Sequence, residues 1–181
     1  MQGNALDLSV FADDTYDVVL LLGPMYHLYS KNDKKTAISE AVRITKQSGM
    51  IFVAYCISDA TIILDGFVRK SFDIFEYIEN GMVEPESFAT HSEPKDLFEL
   101  VRKEDIDDLI SGFAVTRLHY VATDGITGLI REAIDNMDEA TFELYLKYHF
   151  SICERSDMVG MTHHSLDVLR KHLENTHESI D

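Results

Sequence analysis

Basic residues are scarce in this chain. Sixteen Lys and Arg stand against 32 Asp and Glu, a formal net charge of −16 over 181 residues. A surface of that sign does not displace counterions from phosphates, which excludes nucleic acid as a partner. It does not dock on an anionic membrane face either. Long apolar runs are also missing: Val18-Val19-Leu20-Leu21-Leu22 falls far short of the ~20 residues a span requires. The opening Met1-Gln2-Gly3-Asn4-Ala5 has neither the basic start nor the apolar stretch of a secretory signal, so a cytoplasmic protein is expected. Cysteine occurs twice, as Cys56 and Cys153, too little for a disulfide framework. His163-His164 is unaccompanied by Cys-x-x-Cys or His-Glu-x-x-His spacing, so no metal site is expected. Repeats, low-complexity tracts and Pro/Gly/Ser linkers are absent.

What is present reads as one α/β domain. Apolar residues make up 45% and charged residues 27%, the balance of a globular chain. Residues 17–22 form a short apolar run closed by Gly23-Pro24, the pattern of a strand buried on both faces. Asn32-Asp33 reads as a helix cap, followed by Ala37, Ile38, Ala41 and Val42 at helical spacing, with Gly49 as the stop. Residues 50–55 are a second apolar run, and strand–helix–strand makes a right-handed βαβ unit. Residues 59–80 read as an interrupted helical segment with Ile63, Phe67, Ile74, Phe75 and Ile78 inward. A loop over 82–96 leads to a short strand at 97–101 and a helix at 104–111 closed by Gly112.

Residues 113–122 then form a third long strand. Ile126, Leu129, Ile130, Ala133, Ile134 and Met137 predict the cleanest amphipathic helix of the chain. Phe142, Tyr145, Leu146, His149, Phe150 and Cys153 predict a second helix, hairpinned to the first. Residues 165–170 close the sheet, antiparallel to 113–122, and residues 172–181 read as a polar tail. The sheet is therefore expected to be mainly parallel with an antiparallel edge. His149 and Cys153 read as core residues, and Cys56 as a weak nucleophile without a partner. Gly125-Ile126-Thr127-Gly128 reads as a helix start. The acidic stretches 105–108 and 135–139 read as solvated helix faces.

The segments Gly3-Asn4-Ala5-Leu6-Asp7-Leu8, Tyr16-Asp17-Val18-Val19-Leu20-Leu21-Leu22-Gly23 and Pro24-Met25-Tyr26-His27-Leu28 resemble the middle of a class I S-adenosylmethionine-dependent methyltransferase. Glu40-Ala41-Val42-Arg43-Ile44, the turn Lys46-Gln47-Ser48-Gly49 and the stretch 118–125 carry the likeness further. The resemblance implies an incomplete Rossmann-like methyltransferase sheet, strands four to seven of the family, over residues 1–171. Helical segments at about 59–80 and 126–155 would cover the substrate. It implies that Asn4 and Ala5 meet the adenine of S-adenosylmethionine and that Leu22 and Gly23 flank its methionine part. Tyr26 and His27 would face the reacting centre as catalytic residues. The methyl acceptor would be a small molecule or, as the alternative, a protein nucleophile.

The nine glycines include no Gly-x-Gly spacing, and the family's glycine-rich turn and ribose-binding acid have no counterpart. The resemblance therefore implies a chain that enters the fold after its third strand and, alone, holds the cofactor weakly or not at all. Residues 18–22 would then form a bare sheet edge, inviting a homodimer. The alternative expectation is a noncatalytic fragment or interaction protein that folds as a dimer or with a partner.

Overall fold

The computed structural model describes residues 3–96 and 98–173. A five-stranded mixed sheet carries helices chiefly on one face. β1 (Tyr16–Leu21) leads through a 3-10 turn (Pro24–His27) into α1 (Lys31–Ile44) and then β2 (Thr45–Ile57). β1 and β2 pair in parallel, Val18 opposite Met50 and Leu21 opposite Val53, which realises the expected βαβ unit. β3 (Leu100–Val101) adds to the end of β2 in parallel, and α4 (Lys103–Ile110) follows it. β4 (Val115–Ala122) and β5 (His164–Lys171) are antiparallel to each other. β5 also pairs antiparallel with β2, giving the order β1-β2-β5-β4. The antiparallel element is thus interior, and β4 forms the edge.

Local chemistry sets the boundaries. α1 starts earlier than the Asn32-Asp33 cap expected: the Ser30 hydroxyl accepts from the Asp33 N–H at 3.0 Å. It ends at Ile44, not at Gly49, where the Thr45 hydroxyl donates to the Ala41 carbonyl at 2.6 Å and opens β2. Gly49 lies inside the strand because a Cβ there would sit 2.8 Å from the Lys46 carbonyl and 3.0 Å from that of Asp17.

Alternation in the strands points Val19, Leu21, Ile51, Val53, Tyr55 and Leu169 at Ala37, Ile38, Ala41 and Ile44 of α1 and Ile106 of α4. Each such buried aliphatic contributes about 1.5–3 kcal/mol. One buried carboxylate interrupts this apolar layer. Asp167 is 0% exposed and accepts two hydrogen bonds from Arg117, at 2.7 and 2.8 Å. Arg117 also donates to Asp107 of α4. Burial pushes the Asp167 carboxyl above the ordinary carboxylate range despite the guanidinium beside it.

The cap segments depart from expectation. Residues 59–80 contain α2 (Ser58–Thr61), a π-helix over Ile62–Val68 and α3 (Ile74–Glu79). The π-turn rotates the inward face onto Ile62 and Leu64, leaving Phe67 and Phe75 exposed. The expected helix over 126–137 shrinks to α5 (Arg131–Asp135), preceded by turns. Gly125 takes φ +52, outside the helical region. α6 (Glu139–Ile152) forms as expected but buries none of its own residues; Phe142, Leu144, Tyr148 and Phe150 are exposed. His149 is half-buried beside Gly125, not a core residue. Cys153, just past α6, is buried as expected. Of the expected strand 97–101, Leu97 lies outside the described residues, as do residues 174–181 of the tail. His172 is tied down: its N–H donates to the Ala114 carbonyl at 2.9 Å. Among the described residues no helix is long and apolar enough to cross a membrane.

Candidate active site at the carboxyl ends of the strands

β1, β2 and β4 run in one direction, so Leu22, Ser58 and Thr123 leave the sheet at the same end, where β5 begins. That end is where open α/β sheets hold ligands. After β1, Gly23 and Pro24 turn the chain into the 3-10 turn, with Met25 buried beneath. The Tyr26 hydroxyl donates to the Leu22 carbonyl at 2.6 Å, folding the turn back on the strand end. Phe98 completes an aromatic cluster, edge-on to Tyr26 at 5.5 Å and tilted against His27 at 5.4 Å. The Glu99 N–H donates to the Tyr26 carbonyl at 2.9 Å, so the segment before β3 clamps this turn. Leu22, Gly23, Tyr26 and His27 are therefore brought together, and the His27 ring is exposed.

Asn4 and Ala5 are held differently. The Asn4 side-chain oxygen accepts from the Leu6 N–H at 3.1 Å, and its backbone carbonyl accepts from Asp7. Asn4 is exposed, while Ala5 packs half-buried on the main core. The loop is anchored further along by Arg43, which donates to the carbonyls of Leu8 and Phe11 at 2.9 Å each. The hydrogen bonds of Asn4 run to Leu6 and Asp7, within its own turn.

Two cavities open beside this end of the sheet. One of about 470 Å³ is lined by Phe98, Phe72, Tyr77, His91 and Leu100, with Phe72 and Tyr77 stacked at 4.4 Å. Phe98 is its link to His27. The other, about 580 Å³, lies between the π-helix, the start of β5 and α6, and is lined by Asp65, Asp124, Tyr145, His149, His163 and His164. There His164 Nδ1 meets Asp124 Oδ2 at 2.7 Å, and the same oxygen accepts from the His164 N–H at 2.9 Å.

The hydrogen bond to Asp124, then contact with Cys56, pushes the His164 imidazole up to about 10 against the cost of burial. Burial opposes the charge on Asp124, yet His164 holds that carboxyl below its ordinary value. Burial lowers His163 instead, and its Nε2 is sealed without a hydrogen-bond partner. Two adjacent histidines are thus shifted in opposite directions. Gly125 and Gly128 make room for the rings: Cβ atoms there would stand 3.0 Å from His149 and 2.6 Å from His163.

Sequence reasoning missed Phe98, Asp124 and the pairing of Cys56 with His164. Strand register, which places Cys56 opposite His164, is the observation that gives the thiol a neighbour. Among the described residues no group of three or more His, Cys, Asp and Glu is arranged to hold a metal ion.

Residues 1–53 match a family model described as a methyltransferase domain. No curated protein matches the chain. Among solved structures it is similar to a SAM-dependent methyltransferase from Methanosarcina mazei, with 14% identity and a TM-score of 0.53. That alignment covers 95% of this chain and 66% of the other. A SAM-dependent methyltransferase from Archaeoglobus fulgidus is similar at 13% identity and TM-score 0.49, with 94% and 66% covered. A protein from Pyrococcus horikoshii is similar at 14% and 0.49, with 93% and 57% covered. The chain thus spans under two thirds of the length of these three. The first likeness establishes the fold: the mixed five-stranded sheet is part of a methyltransferase Rossmann-like sheet, as the resemblance implied.

Proposed function

We propose that residues 1–171 are the acceptor-side part of an S-adenosylmethionine-dependent methyltransferase acting on a small molecule. The observation that carries this reading is the family match over residues 1–53 coinciding with the cluster of Leu22, Gly23, Tyr26 and His27 at the ligand end of the sheet. The residues present suit two parts of the cofactor. Asn4 is exposed, its amide already oriented by the turn to Leu6, and suits the adenine edge together with the Ala5 N–H. Leu22 and Gly23, at the end of β1, suit the methionine part. Nothing in the chain has the Gly-x-Gly spacing that would hold the remainder.

When bound, the cofactor supplies a methyl group made electrophilic by its sulfonium. The chain's part is to place a nucleophile in line with that methyl and exclude water. Phe98, Phe72 and Tyr77 give the 470 Å³ cavity an apolar wall suited to a small acceptor. His27, exposed beside Phe98, takes the acceptor's proton in this reading. Tyr26 has its hydroxyl proton committed to Leu22, so its role is to position the turn and not to exchange a proton. Segment 59–80 walls the 470 Å³ cavity, and segment 126–155 walls the neighbouring one of about 580 Å³.

Calorimetric titration with S-adenosylmethionine tests the reading. Weak binding is expected, weakened about fivefold further by Asn4→Ala, the worth of one hydrogen bond. His27→Ala is expected to cut turnover of a methyl acceptor about 100-fold with cofactor affinity kept. No binding at millimolar cofactor overturns the function, and wild-type turnover by His27→Ala removes that residue from it.

A second reading, self-assembly, is favoured by β1. Val18, Leu20 and Leu22 are 50%, 60% and 46% exposed on the face opposite α1, and residues 18–22 carry no charge to block edge pairing. Two copies joined antiparallel through residues 18–22 would continue the sheet. Light scattering showing a dimer that Leu20→Lys dissociates supports this, and a monomer at tens of micromolar, roughly the range where such contacts act, refutes it.

A further inference from the structure

A third cavity, about 310 Å³, lies at the same end of the sheet but on the α1 and α4 side, walled by Tyr29, Lys34, Tyr55, Ser58, Val101 and Ile106 among others. Two of its side chains are anomalous. Tyr55 is 1% exposed and Ser58 0%, yet neither the Tyr55 hydroxyl nor the Ser58 Oγ has a hydrogen-bond partner. Orphaned hydroxyls in a sealed apolar core are costly, and two lining one cavity make it a place built to be filled. Burial, with Asp167 nearby, pushes the Tyr55 phenol well above its usual value, so it keeps its proton to donate.

Most of the other polar side chains of the wall already have partners. Lys34 and Glu99 form an ion pair at 2.6 Å, largely out of water, and Lys31 pairs with Asp108. The Tyr29 hydroxyl donates to the Asp96 carbonyl at 2.7 Å and Thr90 to that of Leu100 at 3.2 Å. Arg102 pairs with Asp59 at 3.0 Å. Asp105, exposed at the rim, accepts from the Arg102 N–H at 2.8 Å, so no unpaired charge lies beside the two buried hydroxyls, and a charged head seated on them would be desolvated without a counter-ion. The unspent groups are two hydroxyls, each able to donate and accept, above the apolar side chains of Val101, Ile106 and Leu109.

From this accounting we infer that the cavity is a binding site for a small uncharged molecule carrying a donor–acceptor head, an amide or a hydroxyl, seated on Tyr55 and Ser58. Its volume is at the low end of ligand pockets. Thr90, His91 and Leu100 line both this cavity and the 470 Å³ one, so an occupant would stiffen a wall of the proposed acceptor site. The inference rests on the hydroxyls and the wall chemistry and stands apart from the methyl-transfer reading.

Acetamide is the probe, titrated into the full chain with binding followed by NMR. Saturable shifts are expected, with intermolecular NOEs from the acetamide methyl to Val101, Ile106 and Leu109. Tyr55→Phe with Ser58→Ala removes no hydrogen bond within the protein, so the double variant is expected to fold and to weaken acetamide binding about tenfold or more. Non-saturable shifts, equal affinity in the folded double variant, or a crystal soaked in acetamide that holds only water in the cavity would each overturn the inference. Should the double variant fail to fold, the wild-type NOEs decide: present, they support the site; absent, they remove it.

Discussion

His164 is predicted to stay protonated well above neutrality and to stabilise the fold only while it does. Its folded-state value is about 10 against an ordinary 6.5, set first by the hydrogen bond to Asp124. A group raised on folding contributes fully below its unfolded value and loses that contribution as pH rises through the folded one. The stabilisation is therefore complete below pH 6.5 and disappears as pH climbs through about 10. Asp124, held below its ordinary 3.8, sets the acid side with the opposite sign: its share is present above 3.8 and lost as pH falls below it.

The size of the effect follows from exposure. The two side chains are 55% and 37% exposed, so water and salt screen the pair. We expect about 1 kcal/mol, the upper end for exposed pairs, not the several that a sealed site would give. In a chain of this length that is about 2–4 °C in Tm. Thermal unfolding of the wild type and His164→Gln should differ by this amount near neutrality and converge at about pH 11. An imidazole titration by NMR should show Asp124→Asn drawing His164 back toward its ordinary range. A wild-type His164 that titrates near 6.5, or a Tm difference that is the same at both pH values, would refute the reasoning.

Arg117→Met should destabilise the protein by about 3–5 kcal/mol in urea unfolding, because Asp167 would be left charged without its partner in the core. The deficit should shrink at acid pH, where Asp167, already displaced upward by burial, takes up a proton; a deficit that is constant with pH would contradict this. Gly49→Ala should cost about 2 kcal/mol, since its methyl collides with backbone oxygens of Lys46 and Asp17 that cannot swing aside, and a variant as stable as wild type would show that the strand relaxes.

The parallel half of the sheet was legible because its strands are continuous apolar runs and α1 keeps a regular buried stripe, Ala37, Ile38, Ala41 and Ile44. Both signals depend only on neighbours in sequence. The helix over 126–137 was misread because Ile126, Leu129 and Ile130 are equally well joined by turn bonds, Leu129 N–H to the Ile126 carbonyl at 2.9 Å and Ile130 N–H to that of Thr127 at 3.2 Å. What decides against helix there is the room that Gly125 and Gly128 must leave for two imidazole rings, and those rings arrive from residues 149 and 163. The candidate site divides in the same way. The cluster of residues 22–27 follows β1 directly and could be read from the chain. Phe98 on His27, Asp124 on His164 and the cavity over Tyr55 and Ser58 are juxtapositions made only by tertiary contact.

The interior position of β5 also fixes an order of events. Residues 164–171 pair with β2 on one side and β4 on the other, so nothing connects those two strands until β5 is available. During synthesis, β1, α1 and β2 can assemble as a local unit while β4 waits unpaired, and the last strand joins the halves like a key course in masonry. Closing contacts across roughly 110 positions between β2 and β5 is slow compared with local pairing. For that interval the apolar flank of β2 stands open, and the nascent chain is at its most exposed to wrong partners.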